Sequence, residues 1–235
     1  VNPDTMELIG EEVEVVKDTN YITQKLGAPY SYEIMIELPQ EEMAKKSKFL
    51  QDVNKLSQKI SNWKSTAQID SMADLIKQIN QTMHNNQEEY YKIPKSDRLI
   101  SQYLLLYEMS GGEGIEDWVT FNYDMARVSV QVNDLTPELK NRFGEIKHFA
   151  KENLPEGTRL TIVGNMPIML QMMERISQAQ IKSILAAVIV ITLIMMIILK
   201  SVKLGLISML PNVIPILAIT GVMGMTGIPL NFFTL

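Results

Sequence analysis

The chain has 235 residues and a formal net charge of −5, and its mean hydropathy of +0.01 is ordinary for a water-soluble protein. The average conceals two unlike parts. Residues 1–180 hold 19 basic and all 27 acidic residues, a balance of −8, whereas residues 181–235 hold three lysines and no acid. An acidic first part repels nucleic acid. With no cysteine in the chain, disulfides and thiolate metal sites are excluded.

Taken in chain order, the hydrophobic periodicities predict an alternating series of helices and strands. The run "YSYEIMIEL" (30–38) and the run "ARVSVQV" (126–132) alternate apolar and polar residues, which is typical of strands with one wetter face. Repeats at spacings of three and four predict the helices. The predicted elements are a helix over 12–26, a strand over 30–38, a helix over 49–63, a short strand over 67–70, helices over 72–83 and 99–107, a strand over 126–132, a helix over 139–154 capped by Thr136 and Pro137, and a strand over 159–164.

This order predicts an α+β fold for residues 1–166. Two strand–helix units whose strands have one apolar face and one polar, solvent-exposed face suggest a ferredoxin-like split βαβ sheet with helices on one face. The helices between the second and third strands form a helical insert over about 71–118, which "SGGEG" (110–114) ends.

Two apolar segments near the end of the chain predict a transmembrane α-helical hairpin, because a hydrocarbon core about 30 Å thick needs ~20 mostly apolar residues in helical form. The first lies in a long helix over 167–200, of about 34 residues and about 50 Å. The second is a helix over 204–226, followed by a turn and the start of a third helix over 227–235. Lys200 and Lys203 predict a cytoplasmic turn, since short basic loops stay on that side. Residues 1 to about 175 are then extracytoplasmic.

The second apolar helix contains residues that are unusual at membrane depth. Pro211 and Pro215 lack the N–H of a helical residue, and Asn212 is polar. Glycines let neighbouring helices approach closely, and Gly205 is one such small position. The predicted kink and packing positions are Pro211, Asn212, Pro215, Gly221, Gly224 and Gly227. They are interpreted either as ordinary kink and packing devices or as a moving element of a transport cycle. In both interpretations the helix needs partner helices.

Four methionines lie at the start of the long helix. Met166, Met169 and Met173 share one helix face, and Met172 is adjacent. Thioethers bind soft Cu(I), but they also line adaptable apolar surfaces, and neither histidine of the chain lies near them. The pattern favours packing or a candidate hydrophobic path. His84 and His148 are isolated, and no nucleophile or phosphate-loop motif is present. We therefore expect no cofactor and no metal.

Several motifs resemble one family. "LKSVKLGLISMLPNVIPILAITGVMGMTGIPLN" (199–231) is similar to the loop and third helix of a repeat in the resistance, nodulation and division (RND) exporters, in the branch of the mycobacterial large membrane proteins and hopanoid exporters. "SMADLIKQINQTMH" (71–84), "YYKIPKSDRLISQYLLLYEMSGGEG" (90–114) and "FNYDMARVSVQV" (121–132) resemble the porter domain of that family in order and spacing.

The resemblance implies a porter domain between the first and second helices of a six-helix repeat, and it favours the C-terminal of two repeats. The chain would then be a piece of a longer polypeptide in the cell (inner) membrane. Its partners would be membrane lipids, the other transmembrane helices, a second porter domain and a hydrophobic substrate, with a homo-oligomer as an open alternative. The proton-relay acids of the family lie on the fourth helix of a repeat, and residues 176–235 contain no Asp or Glu.

These expectations lead to one functional hypothesis and two rivals. The first is part of an RND-type transporter that exports hydrophobic or amphiphilic compounds, such as lipids and drugs, driven by protons. The alternative is a membrane-anchored extracytoplasmic sensor or scaffold domain without transport. An enzyme with its active site in the outer domain is the third reading, and no sequence motif supports it.

Overall fold

The computed structural model describes residues 13–18, 21, 28, 30–112, 114–133 and 138–226. The chain divides into two compact units between Ile168 and Met169. Of the predicted helix over 12–26, residues 14–18 are helical and most of the rest lies outside the described residues. The predicted cap at Thr136 and Pro137 and the predicted turn over 227–235 also lie outside them.

From Tyr30 to Val163, the described part of the first unit contains four strands and four α-helices whose order confirms the predicted succession. They are β1 (Tyr30–Glu37), α1 (Ser47–Ser61), β2 (Thr66–Ser71), α2 (Met72–Met83), α3 (Asp97–Met109), β3 (Met125–Val132), α4 (Glu138–Asn153) and β4 (Arg159–Val163). Three single turns of 3-10 helix lie at Met43–Lys45, Glu88–Tyr90 and Ile115–Asp117. The weakest predicted strand, over 67–70, is present and two residues longer than expected.

The strands form one antiparallel sheet in the order β2-β3-β1-β4. Ile34 in the centre of β1 lies opposite Val128 on one side and Ile162 on the other. Because side chains alternate along a strand, this register places the apolar residues of all three strands on the same face.

That face carries the core of the unit. Tyr32, Ile34 and Ile36 of β1 have no exposed surface, and β3 buries its alternate residues in the same way. Helices α1 and α4 cover the face, and the ring of Tyr32 meets that of Phe143 edge-on at 5.1 Å between centroids. Each large apolar side chain buried here contributes about 1.5–3 kcal/mol, so the alternation in sequence fixes which face the helices cover.

The opposite sheet face is half-buried and polar, as the alternation predicted. Ser129 donates a 3.1 Å hydrogen bond to Oε1 of Glu33, whose Oε2 lies 3.6 Å from Nε of Arg127. Arg159 and Glu37 form a more exposed ion pair between β4 and β1, also at 3.6 Å. The face therefore carries paired charges between neighbouring strands.

The helices between β2 and β3 are tied together by one buried amide. Asn80 of α2 donates hydrogen bonds of 2.8 and 2.9 Å to the carbonyls of Tyr90 and Lys92, and its Oδ1 accepts one of 3.0 Å from the hydroxyl of Tyr103 on α3. All of these bonds cross between segments that are apart in sequence. The amide thus fixes the 84–96 connection against both helices.

The second unit is helical. Its elements are α5 (Asn165–Ile198), which begins four residues before the boundary, α6 (Val202–Ile207) and α7 (Leu210–Thr226). The length of α5, 34 residues, is the predicted one, although it begins and ends two residues earlier. Its most apolar stretch contains no buried residue, and by length and composition α5 and the segment Val202–Ile219 are candidate membrane spans.

The predicted single helix over 204–226 is divided in two. Residues 208 and 209 form a turn between α6 and α7. Pro211 has no N–H to continue a hydrogen-bond ladder back to Ile207, so it stands in the first turn of a new helix, where that N–H is not needed. Pro215 is the proline that lies inside α7.

Candidate functional site

The turn of the helical hairpin contains both predicted lysines. Lys200 lies two residues beyond the end of α5 in a left-handed conformation with φ of +49°, and its side chain and that of Lys203 are exposed. Ser201 then caps α6, because its hydroxyl accepts a 3.4 Å hydrogen bond from the N–H of Leu204. The chain therefore reverses direction within three residues and presents two cations there.

Glycine makes this reversal tight. Gly205 of α6 is buried, and a Cβ at that position would lie 2.9 Å from both Cα and N of Met196 on α5. A real Cβ does not approach backbone so closely, so α6 packs on α5 through bare backbone at this point. The sequence predicts Gly205 as a small position at which a neighbouring helix can approach closely, and the helix that approaches it is the preceding one, α5.

The predicted residues of α7 face outward within this unit. Pro211, Asn212 and Pro215 are exposed, and the amide nitrogen of Asn212 lies 3.9 Å from the sulfur of Met209, three residues earlier. Among the described atoms, none lies within 4 Å of a Cβ built at Gly221. Gly224 lies within α7, and Gly227 lies outside the described residues. The predicted packing role of these positions stays a prediction.

The four methionines of α5 lie in different surroundings. Met166 is 2% exposed in the first turn of the helix, Met169 is half-buried, and Met172 is 56% exposed. The side chain of Met173 lies outside what the structure describes. A continuous hydrophobic path along these residues stays a prediction.

A second site, which the sequence analysis missed, lies at one end of the sheet in the first unit. Residues 118–120 run beside the start of β3, where β2 no longer reaches. The N–H of Arg127 donates a 2.8 Å hydrogen bond to the carbonyl of Trp118, and Val119 pairs with Ala126. The loop before β3 thus adds a short edge to the sheet.

This loop is held by a neighbouring loop through main-chain hydrogen bonds. The N–H groups of Leu38, Glu42 and Ala44 donate to the carbonyls of Asp124, Asn122 and Tyr123 at 2.7, 2.9 and 3.0 Å. Glu42 and Tyr123 both adopt left-handed backbone, with φ of +64° and +55°. Such non-glycine conformations cost about 1 kcal/mol or more each, so the surrounding bonds must hold them.

The side chain of Tyr123 holds the same loop. Its hydroxyl donates a 2.6 Å hydrogen bond to Oε1 of Glu108 at the end of α3, and the ammonium of Lys45 lies 3.8 Å from the centre of its ring. Burial, and then the hydrogen bond to Glu108, raises the pKa of Tyr123 well above its ordinary value. The tyrosine therefore stays neutral and joins three segments at this end of the sheet.

The 116–121 loop lines a shallow cavity of about 270 Å³. Phe121 lines it and is 98% exposed, although it stands on a loop held by main-chain hydrogen bonds. The guanidinium of Arg127 lies 5.7 Å from the centre of the Trp118 ring. The cavity is lined by Met35, Trp118, Phe121 and Met125 on its apolar side, and by Glu116, Asp117 and Arg127 among its charged groups. In the sequence, the sole signal was "EDWVTF", two acids and two aromatics within six residues.

Metal ligands are not grouped in the described part of the chain: within it, no three His, Asp or Glu side chains lie close enough together to hold an ion. The helical hairpin, by contrast, has two segments long and apolar enough to span a membrane. None of the curated proteins matches the chain. The model of the MMPL family matches residues 14–234, which span the sheet unit, the helical hairpin and nearly the whole chain. The chain therefore belongs to the MMPL family of membrane transporters.

Proposed function

We propose that the chain is the porter domain and the following two membrane helices of an RND-type exporter of hydrophobic or amphiphilic compounds. The observation that carries the proposal is the single family match that runs through both units, an α/β unit and a helical pair. A sensor or scaffold would need the sheet unit and a membrane anchor. It would not require that one transporter family model match both of these parts.

The first unit is proposed to be a ferredoxin-like split βαβ domain on the extracytoplasmic side. The antiparallel order β2-β3-β1-β4, with α1 and α4 on one face, supports this assignment. The two lysines at the hairpin turn support a cytoplasmic position for the turn and therefore an extracytoplasmic position for the acidic unit.

The helical pair is proposed to pack against further helices of the complete, multi-pass transporter. Pro215 interrupts the ladder of α7, and the exposed Asn212 is polar. Groups of this kind are costly in hydrocarbon unless other protein or water satisfies them. The bare backbone around Gly221 is a surface on which a neighbouring helix could lie closely.

Energy is proposed to come from a proton gradient, with the relay acids outside the helices described here. Residues 176–235 carry no carboxylate, so α6 and α7 supply structure and movement but no proton-binding group. Substrates would be lipids or drug-like amphiphiles that enter from the membrane or its surface.

Accumulation in cells tests the proposal. Cells that express the complete transporter should retain less of several fluorescent hydrophobic compounds than cells without it, and a protonophore should abolish the difference. The control is Lys95→Gln, a substitution at an exposed residue that should leave both expression and export unchanged. Equal retention of a broad panel with and without the transporter, at matched expression, would contradict export and would favour the sensor or scaffold.

A further inference from the structure

The loop-end cavity of the first unit, defined by Met35, residues 116–121 and residues 125–127, is not used by the proposed role of the helices. It combines apolar lining, an exposed aromatic ring and fixed backbone. Contiguous exposed apolar surface is a recurring mark of binding sites. Phe121 is the most exposed of the large apolar side chains in the described part of the first unit.

The cavity is held in shape before any ligand arrives. Three main-chain hydrogen bonds join the 38–44 and 122–124 segments, and Thr120 adds a 3.1 Å bond from the N–H of Met125 to its hydroxyl. Preorganisation of this kind lowers the ordering cost of binding. An exposed phenylalanine on a mobile loop would lack this advantage.

The size of the cavity limits what can enter it. Pockets that enclose a drug-sized ligand measure about 300–1,000 Å³, and this one measures about 270 Å³. It therefore takes the apolar end of a ligand, a short alkyl chain or one ring, and leaves the polar end at the rim. The methionines Met35 and Met125 suit such a guest, since thioethers adapt to variable apolar shapes.

The charged side chains around the cavity determine which polar head group of a ligand can bind there. The rim carries the exposed carboxylates of Glu116 and Asp117. The guanidinium of Arg127 is paired with a third carboxylate, because its Nε lies 3.6 Å from Oε2 of Glu33, and it lies 5.7 Å from the centre of the Trp118 ring. The charged groups that line the cavity are thus two carboxylates and one guanidinium. An anionic head would meet net repulsion, whereas an ammonium head would meet the two carboxylates of Glu116 and Asp117.

We propose that the loop-end cavity binds cationic amphiphiles, with the apolar chain between Met35, Trp118 and Phe121 and the positive head at Glu116 and Asp117. The site would then be a point at which such substrates first contact the outer domain. This inference rests on the proposed function, because it names the substrate class that the transporter collects.

Tryptophan fluorescence of the whole 235-residue chain in nanodiscs of uncharged (zwitterionic) lipid tests the site directly. The chain has two tryptophans, so Trp63→Phe leaves Trp118 as the reporter and Trp118→Phe leaves Trp63 as the control. Trp63 lies beside Arg142 of α4, outside the cavity. N-decylpyridinium, whose ring quenches indole, should quench Trp118 at concentrations at least about fivefold lower than Trp63. Decyltrimethylammonium should displace it, and decyl sulfate should not.

Two charge variants complete the test. Glu116→Gln with Asp117→Asn should weaken the quenching of Trp118 by about five- to tenfold, the effect of two exposed ion pairs. Glu88→Gln with Glu89→Gln makes the same change of charge on an exposed turn elsewhere and should leave it unchanged. Phe121→Ala should weaken it as well.

Equal quenching of both tryptophans, displacement by decyl sulfate as strong as by the cation, or indifference to the Glu116 and Asp117 changes would each overturn the site. These outcomes leave export untouched, because binding is read here without transport. Conversely, normal binding in a protein that exports nothing would contradict the proposed function and not the site.

Discussion

Gly205 on α6 and Met196 on α5 pack with so little space that a Cβ on the glycine would lie 2.9 Å from the methionine Cα. This contact sets how closely the two helices of the hairpin approach beside the Lys200 turn. Overpacking at such a point typically costs about 1–3 kcal/mol.

Gly205→Ala should therefore destabilise the hairpin. In a helix without neighbours, replacing glycine by alanine stabilises the helix by about 1 kcal/mol. A decrease in stability on Gly205→Ala would therefore be due to the contact with Met196. The measurement is the thermal midpoint of the chain in nanodiscs, followed by fluorescence or light scattering. Gly221→Ala is the matched control, because open space surrounds its position, and it should leave the midpoint unchanged or raise it. A higher midpoint for Gly205→Ala would show that the two helices do not pack in this way.

The buried hydroxyl of Tyr32 provides a second prediction. In the described structure it has no hydrogen-bond partner, and burial raises the pKa of Tyr32 well above its usual 10. Removing an unsatisfied buried polar group is nearly neutral or stabilising. Tyr32→Phe should thus leave the free energy of unfolding unchanged or raise it, whereas Tyr123→Phe, which breaks the bond to Glu108, should lower it by about 1 kcal/mol. Denaturant unfolding at pH 7 compares the two variants.

Alkaline pH should act through the same two residues. Their folded-state pKa values exceed the unfolded value of about 10, so the folded state holds more protons above that pH. Their contribution to the free energy of unfolding is fully present below pH ~10, and it is lost as the pH rises toward their folded-state pKa values. The slope of unfolding free energy against pH between 9.5 and 11 should become shallower in Tyr32→Phe. An unchanged slope would mean that Tyr32 is not buried in the folded state.

A small change of the Asn80 side chain should lower the stability of the first unit strongly. Asn80→Asp keeps the shape of the side chain but replaces the donor to the Tyr90 and Lys92 carbonyls by an acceptor. Two lost bonds and a buried charge should cost about 3 kcal/mol or more. Limited proteolysis should then cut the 84–96 connection faster. Asn122→Asp, at an exposed hydrogen bond to Glu41, is the matched control and should change little. Similar digestion of both variants would contradict the role of Asn80.

The sequence predicted the regular parts of this fold well, because alternation and helical spacing report burial directly. β1 and β3 were recognised on that basis, and the polar open face followed from the same alternation. Contacts between segments distant in sequence were not predictable. Nothing in the residues near Trp118 showed that they pair with β3, and neither Glu42 nor Tyr123 is a residue type that signals left-handed backbone. The division at residues 208 and 209 was missed because Pro211 was read as a kink and not as a helix start.

The orientation of the chain can be tested with cysteines, since the chain has none of its own. Lys203→Cys lies at the hairpin turn and Lys95→Cys on the exposed surface of the sheet unit. In intact cells, a membrane-impermeant maleimide should label Lys95→Cys. It should label Lys203→Cys only after the cell membrane has been permeabilised. The reverse pattern would place the acidic unit in the cytoplasm.

The central claim is that the chain is part of a transporter, and reconstitution tests it most directly. The complete protein, purified into liposomes, is given a pH gradient, and the movement of a panel of hydrophobic cations, anions and neutral lipids across the membrane is followed with time. If the chain is part of a proton-driven transporter, at least one of these compounds should move in a gradient-dependent way, and the movement should stop when a protonophore dissipates the gradient. Movement of none of them, with the protein folded and correctly oriented, would contradict this claim.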